Sequence, residues 1–206
     1  MGGRDMGRHP GFDTTQVVQA ARDVFWDKGY DSTSVPDLEL ATGLARSSLY
    51  HAFENKRGVF DAAVRDYLDT VVRPRLRVLT AEPRDPDAVL VYLQRLVRAL
   101  TQRPEDAGRR GCLLIDSTAG LASRDDAQRA VVDAYRAELV DAFRHALRTR
   151  YPALDDAGAL RRARVLTSLS ISALVVARTS TSDAVTTLEA ALGQVAEWDG
   201  PAPDAD

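Results

Sequence analysis

Cysteine is almost absent: the chain of 206 residues has one, Cys112. A single thiol allows no intrachain disulfide, which excludes the small cross-linked scaffolds of secreted proteins. Lysine is nearly as scarce, with only Lys28 and Lys56 among 27 basic residues. No apolar run is long enough to cross a bilayer. The most apolar segment, Val165 to Ala177, is broken by Thr167, Ser168, Ser170 and Ser172, whereas a spanning helix needs about 20 apolar residues in a row. The opening MGGRDMGRHPGF lacks the apolar core of a signal peptide, so a cytoplasmic location is expected. Positive charge is not in excess either. The formal net charge is -3, which argues against a globally basic nucleic-acid binder and leaves room only for a local patch. The signatures of catalysis are missing as well. His9, His51 and His145 are far apart, and there is no His-x-x-x-His, no cysteine pair, no glycine loop for phosphate and no nucleophile elbow. Neither an enzyme nor a bound metal or cofactor is expected.

What is present is helical. Hydrophobic residues make up 45% of the chain and charged residues 28%, enough for a small head and a larger body with their own cores. No segment alternates with the period of a strand. After a flexible arm at 1–12 that carries Arg4, Arg8 and His9, Asp13 with Gln16 reads as a helix start. Val17, Val18, Ala21, Val24 and Phe25 then recur at helical spacing up to the stop at Gly29. Ser34 with Asp37 opens a second, short helix to about Thr42. Gly43 is a tight turn, and a third short helix runs from about Ala45 to Phe53, with Asn55 placed to cap the next. Lys56 to about Thr80 reads as one long helix with Pro74 as a candidate kink. Ala88–Gln102, Cys112–Ala122, Ala127–Thr149, Ala157–Thr179 and Asp183–Trp198 read as further helices. Pro104–Gly111 is a loop, and the tail at 200–206 is expected to be disordered. The predicted architecture is all-α, with a three-helix head at 13–55 and a helical body at 56–199.

The stretch GLARSSLYHAFENK, Gly43 to Lys56, is too polar for a core helix. Two short helices joined at Gly43 make a helix-turn-helix unit, whose second helix lies in the DNA major groove with its first residues at base edges. Those residues are Arg46, Ser47 and Ser48. Arginine can donate twice to guanine, and serine can donate or accept. Tyr50 and His51 can reach phosphate or base, or can equally be packing residues. Lys56, Thr33 and Ser34 are candidates for the phosphate backbone. Leu38, Leu44, Leu49 and Phe53 are the expected core of the unit. Taken together, F-x-x-K-G-Y, T-S-V, L-x-x-A-T-G-L and S-x-Y-x-x-F-x-x-K, spanning about residues 12–60, resemble the DNA-binding head of the TetR family of bacterial transcriptional regulators. The resemblance implies a homodimer with its two heads on successive major grooves of a palindromic operator. It also places Arg46, Ser47, Ser48, Tyr50, His51 and Lys56 at DNA-contacting positions, with Thr33 and Ser34 by a looser match.

The body matches that family only in length and helical pattern, as expected for a variable ligand-binding and dimerisation domain. A dimer face is expected on about 157–198. Val165, Leu169, Ala173 and Val176 would lie on one helix and Leu188, Ala191, Leu192 and Val195 on the other; an ordinary intrachain core is the alternative. RRGCLLIDSTAGLA, Arg109 to Ala122, resembles a subset of the family in which a Gly-Cys-Leu motif opens a helix beside the pocket. Cys112, at a helix start beside Arg109 and Arg110, reads either as a reactive thiolate or as a small buried hydrophobe. Asp116 can anchor a cationic ligand or pair with an arginine. Tyr92, Arg95, Tyr135 and Phe143 are candidate pocket residues or plain core. The resulting expectation is a regulator, most simply a repressor, released from DNA by a small-molecule effector. The alternative is a thiol-based sensor acting through Cys112.

Overall fold

The computed structural model describes residues 12–102, 110–118 and 120–200. The expected arm with Arg4, Arg8 and His9, the loop from Pro104 to Arg109 and the tail beyond Gly200 lie outside the described residues. Every regular element among the described residues is helical. The chain divides into two compact units, the first ending at Tyr67 and the second beginning at Leu68.

The first unit contains α1 (Thr14–Lys28), α2 (Val35–Thr42), α3 (Arg46–Phe53) and α4 (Lys56–Tyr67). The Asp13 carboxylate accepts from the backbone N–H groups of Thr15 and Gln16 at 2.8 and 3.3 Å, which starts α1. Ser34 and Asp37 cap α2 reciprocally: Ser34 N–H donates to Asp37 at 2.8 Å and Asp37 N–H to Ser34 Oγ at 3.3 Å. The Lys28 ammonium adds a 2.6 Å contact to the same carboxylate. Its hydrogen bonds to Lys28 and then to Ser34 hold that carboxyl well below the usual range. Gly43 ends α2 at φ 70°, a left-handed turn that a side chain would strain. At the end of α3, Glu54 sits at φ 67°, ψ -51° and Asn55 N–H donates to the Phe53 carbonyl at 2.8 Å. This tight three-residue turn costs a non-glycine residue strain. Asn55 then caps α4 through Gly58 N–H at 3.0 Å. Burial offsets that strain. Phe25, Leu38, Leu49, Val59, Phe60 and Ala63 are fully enclosed, and Phe60 meets Phe25 and Tyr30 edge-on at 5.1 and 4.9 Å.

The second unit begins with a π-helical stretch, Leu68–Val72, followed by α5 (Arg73–Thr80). Helical residues run over Lys56–Thr80 as expected, with the π-helical stretch next to the candidate kink at Pro74. Pro74 has no N–H for the Thr70 carbonyl, and the backbone widens in the turn before it. Next come α6 (Ala88–Thr101), the single turns α7 (Leu113–Asp116) and α8 (Leu121–Arg124), then α9 (Asp126–Arg150), α10 (Asp156–Val176) and α11 (Thr181–Asp199). The continuous helix expected over Cys112–Ala122 is absent. The hydroxyls of Ser117 and Thr118 donate to the carbonyls of Leu114 and Ile115 at 2.6 and 2.7 Å, taking the acceptors that further helix would need. In the core α10 packs on α9 and α11, α11 on α6, and α5 on α6 and α9. Ala173, Leu188, Ala191 and Val195, expected on a dimer face, are buried within the single chain. They fill the α10–α11 and α11–α6 contacts. The outward stripe of α10 is instead Val165, Ser168, Ser172 and Val175, with the two valines 41% and 43% exposed.

One polar cluster ties four helix ends together. Arg150, at the end of α9, donates to Asp87 ahead of α6 at 2.7 Å and to Asp199 of α11 at 2.7 Å. Tyr151 donates to Asp199 at 2.8 Å. Arg162 of α10 lies over the rings of Tyr151 and Trp198, at 4.7 and 4.8 Å. The hydrogen bond from Arg150 holds the Asp199 carboxyl below its ordinary value. Arg150→Ala should therefore lower stability by roughly 2–3 kcal/mol, because charge-assisted hydrogen bonds are lost and two carboxylates stay behind; urea unfolding reads this directly. A group with a depressed folded pKa stabilises above its unfolded value and stops doing so as pH falls through the folded one. The gap between wild type and Asp199→Asn should therefore be full at neutral pH and close below about pH 3.9.

Candidate nucleic-acid interface and ligand cleft

Helix α3 is eight residues long and makes no side-chain cap of its own, since its N-cap residue is Ala45. The cap comes from α2: Glu39 accepts from the backbone N–H of Arg46 at 2.7 Å. A carboxylate at that end also suits the helix dipole. Leu49, fully buried, anchors the inner face, with Leu44 and Phe53 half-buried beside it. This leaves Arg46, Ser47 and His51 exposed, and Ser48 and Tyr50 half-exposed. The Arg46 guanidinium lies 5.1 Å from the centre of the Tyr50 ring and has no ion-pair partner among the described residues. The pair forms a preset donor surface: the ring holds the cation in place without neutralising it.

Lys56 stacks over Tyr30, its Nζ 4.5 Å from the ring centre. Desolvation lowers its pKa, against the pull of Asp31 and Asp37. Ser34 is exposed, but its hydroxyl donates to Asp37 at 2.7 Å. Thr33 is corrected: it is 1% exposed, and its hydroxyl donates inward to the Gly29 carbonyl at 2.6 Å. That hydroxyl closes the turn after α1 and is not available to phosphate. Two features escaped the sequence reading. One is the capping role of Glu39, a contact over seven residues that no local cap pattern covers. The other is Leu40, 88% exposed on α2, which breaks that helix's polar face and was legible as such.

In the body the candidate residues come together except Asp116. Cys112 is fully buried, with its Sγ 3.8 Å from the Tyr135 hydroxyl. Tyr92 meets Phe143 edge-on at 5.2 Å. Burial pushes the Tyr92 phenol up, Arg75 pulls it down and Cys112 adds to the rise. Asp116 pairs instead with Arg178 at 2.9 Å. Its burial outweighs that arginine and leaves its carboxyl above the usual value. Gly111 is needed where it stands, because an added Cβ would lie 2.5 Å from the Leu174 carbonyl oxygen. Tyr92 also lines a cleft of about 290 Å³ with Thr70, Val71, Pro74, Arg75, Arg95 and Leu96. Neither Arg75 nor Arg95 has an ion-pair partner among the described residues. No group of side chains among the described residues is arranged to hold a metal ion.

A family described as bacterial regulatory proteins, tetR family, matches residues 17–63. The HTH-type transcriptional regulator YezE of Bacillus subtilis (strain 168) is 34% identical over 142 residues, covering 69% of this chain and 72% of the relative. The HTH-type transcriptional repressor ComR of Escherichia coli (strain K12) is 30% identical over 119 residues, covering 57% of this chain and 55% of ComR. Among solved structures, a cysteine mutant of CifR, a TetR family transcriptional regulator complexed with 26-bp double-strand operator DNA, superposes with a TM-score of 0.76. The identity is 28%, over 90% of this chain and 98% of that one. Removing the borrowed cap tests how α3 is held: Glu39→Ala should cost the head about 1 kcal/mol. The loss should show as faster amide exchange at Ser48 and Leu49, with α1 little changed.

Proposed function

The chain belongs to the TetR family of bacterial transcriptional regulators, and from that premise we propose that it is a cytoplasmic repressor that binds a palindromic operator as a homodimer and leaves it when a small molecule binds the body. The observation that carries the reading is α3. A short helix capped by Glu39 of α2 is held from behind by Leu49, with Arg46, Ser47, Ser48, Tyr50 and His51 on its open side. Arg46 reads base edges, the serines and Tyr50 contact base or phosphate, and Lys56 and the start of α2 at Ser34 contact the backbone. One helix of this length reads few bases, so two heads about 34–36 Å apart are needed for a useful site. The outward faces of α10 and α11 supply the dimer: Val165, Leu169 and Val175 on one and Leu192 on the other, with Ser168 and Ser172 small enough for close approach.

The effector reading rests on the cleft beside Tyr92. Its rim carries two arginines without carboxylate partners, and behind it lie Cys112 and Tyr135. An apolar molecule with an acidic head suits that chemistry. The thiol-sensor alternative is weaker. Cys112 has no exposed surface, and the turn it starts is four residues long, too short to stabilise a thiolate as a long helix would.

Two measurements test the reading. Anisotropy titration against DNA from upstream of the gene should give saturable binding that Arg46→Ala and Tyr50→Ala each weaken by about 1–3 kcal/mol. Thr33→Val should leave the salt slope of binding unchanged, because its hydroxyl faces inward. Binding that ignores both α3 substitutions would sink the proposal. For the dimer, Leu169→Glu should yield monomers by analytical ultracentrifugation and abolish operator binding at the same protein concentration. A monomeric variant that still binds the operator as tightly would remove the dimer from the mechanism.

A further inference from the structure

A second concave surface of the body shares no residue with the cleft beside Tyr92. It is a groove of about 950 Å³ lined by Arg73, Arg77 and Arg84 on one side and by Arg144, His145 and Arg148 on the other, with Leu76 and Ala142 as its floor. Two carboxylates, Glu138 and Asp141, also line it, and Asp69, Glu82 and Asp156 reach its arginines from beyond the lining. The crowding of arginines is built at a cost. Arg73 with Arg77, and Arg144 with Arg148, are like charges one helical turn apart, an arrangement that destabilises a helix.

Most of these arginines are held by neighbours. Arg73 pairs with Asp69 and lies 3.4 Å from Glu138, Arg84 lies 3.1 Å from Glu82, Arg144 lies 3.4 Å from Asp141, and Arg148 lies 2.7 Å from Asp156. Arg77 is different. It is exposed in the middle of the basic wall and has no ion-pair partner among the described residues. The second mark is His145. Its ring lines the groove, while its Nε2 is shut off from solvent and has no hydrogen-bond partner. A ligand in the groove can bond to that atom only if the ring turns, which would relieve the missing hydrogen bond.

We infer that this groove binds a multiply charged oxyanion, a small molecule bearing two or more phosphate or carboxylate groups, with Arg77 as its principal contact and His145 beneath it. Spread guanidinium groups match spread negative charge, and forked donors recognise phosphate and carboxylate alike. The site is separate from the effector cleft, so the regulator carries two places where anions bind.

The test is calorimetric titration of the full chain at fixed ionic strength, with inorganic pyrophosphate in one arm and citrate in the other. The variants are Arg77→Ala, His145→Gln and Arg98→Ala; Arg98 is exposed on α6 and lines neither site. The expected result is one saturable site per chain for at least one probe. Its dissociation constant should rise about tenfold or more in Arg77→Ala, less in His145→Gln, and not at all in Arg98→Ala. Whichever probe binds more tightly identifies phosphate or carboxylate as the natural group. No saturation with either probe overturns the inference, and so does weakening by Arg98→Ala equal to that by Arg77→Ala, which marks diffuse charge attraction. Melting curves of each variant show whether a loss of binding is a loss of fold.

Discussion

An eight-residue helix does not persist alone in water, because nucleation costs more than so few hydrogen bonds return. Everything proposed for the head rests on how α3 is held despite that. Its own sequence gives little help: Ala45 cannot cap, and two serines in the first turn lower helix propensity. The hold is supplied from outside. Glu39 closes the N-terminal end at 2.7 Å, Leu49 is buried against the unit's core, and the turn at Glu54 fixes where the chain leaves. Behind these lies the aromatic contact of Phe60 with Phe25 and Tyr30. Burying such rings contributes about 1.5–3 kcal/mol each, enough to outweigh a strained turn costing about 1–3 kcal/mol. The outer face is then free of structural duty, so Arg46, Ser47 and His51 can be chosen for what they touch.

The body uses charge in two opposite ways. At the Arg150 cluster a carboxylate is paired at little burial, so Asp199 titrates low and supports folding over most of the pH range. At Asp116 the pairing with Arg178 does not make up for burial, and the carboxyl titrates high. A group of that kind stabilises when protonated and stops doing so as pH rises through its folded value. The first arrangement is a clamp. The second is tolerated beside a segment whose turns are fixed by Ser117, Thr118 and Gly111 rather than by a continuous helix. Gln128 Oε1, Thr167 Oγ1 and Ser170 Oγ are buried in the second unit without partners, a further sign that the packing around α9 and α10 is not optimised for stability alone.

Much of this was legible in the sequence, for physical reasons that differ by element. The head was readable because its signals are local: caps at Asp13 and Ser34, the left-handed Gly43, and apolar spacing through Val17, Ala21 and Phe25. Helix existence in the body was readable from the same periodicity. What failed was anything decided by a partner distant in sequence. Thr33 is a hydroxyl in a polar stretch, and only the turn at Gly29 turns it inward. Leu188, Ala191 and Val195 make a stripe that suits a dimer or a core equally, and α6 decides for the core. The long helical run through Pro74 was readable, kink included, and only the π-helical widening before the proline was not. The missing helix at Ser117 and Thr118 could have been suspected, since both residues compete for backbone carbonyls.

Net charge hid the distribution that matters. A chain at -3 with 27 basic residues pairs many of its cations locally. Lys28, Arg57, Arg73, Arg148, Arg150 and Arg178 each meet a carboxylate. An exposed arginine such as Arg98, with no ion-pair partner among the described residues, is ordinary and is screened by salt within about 10 Å. An arginine held against an aromatic ring, or set in a concave wall beside others of its kind, is not ordinary when no carboxylate among the described residues pairs with it. Arg46 over Tyr50 is the first case. Arg75 and Arg95 beside Tyr92, and Arg77 above His145, are the second. Such positions mark where the charge is kept for something other than the protein itself, and they fall where the fold offers a face to DNA or a concavity to a small anion.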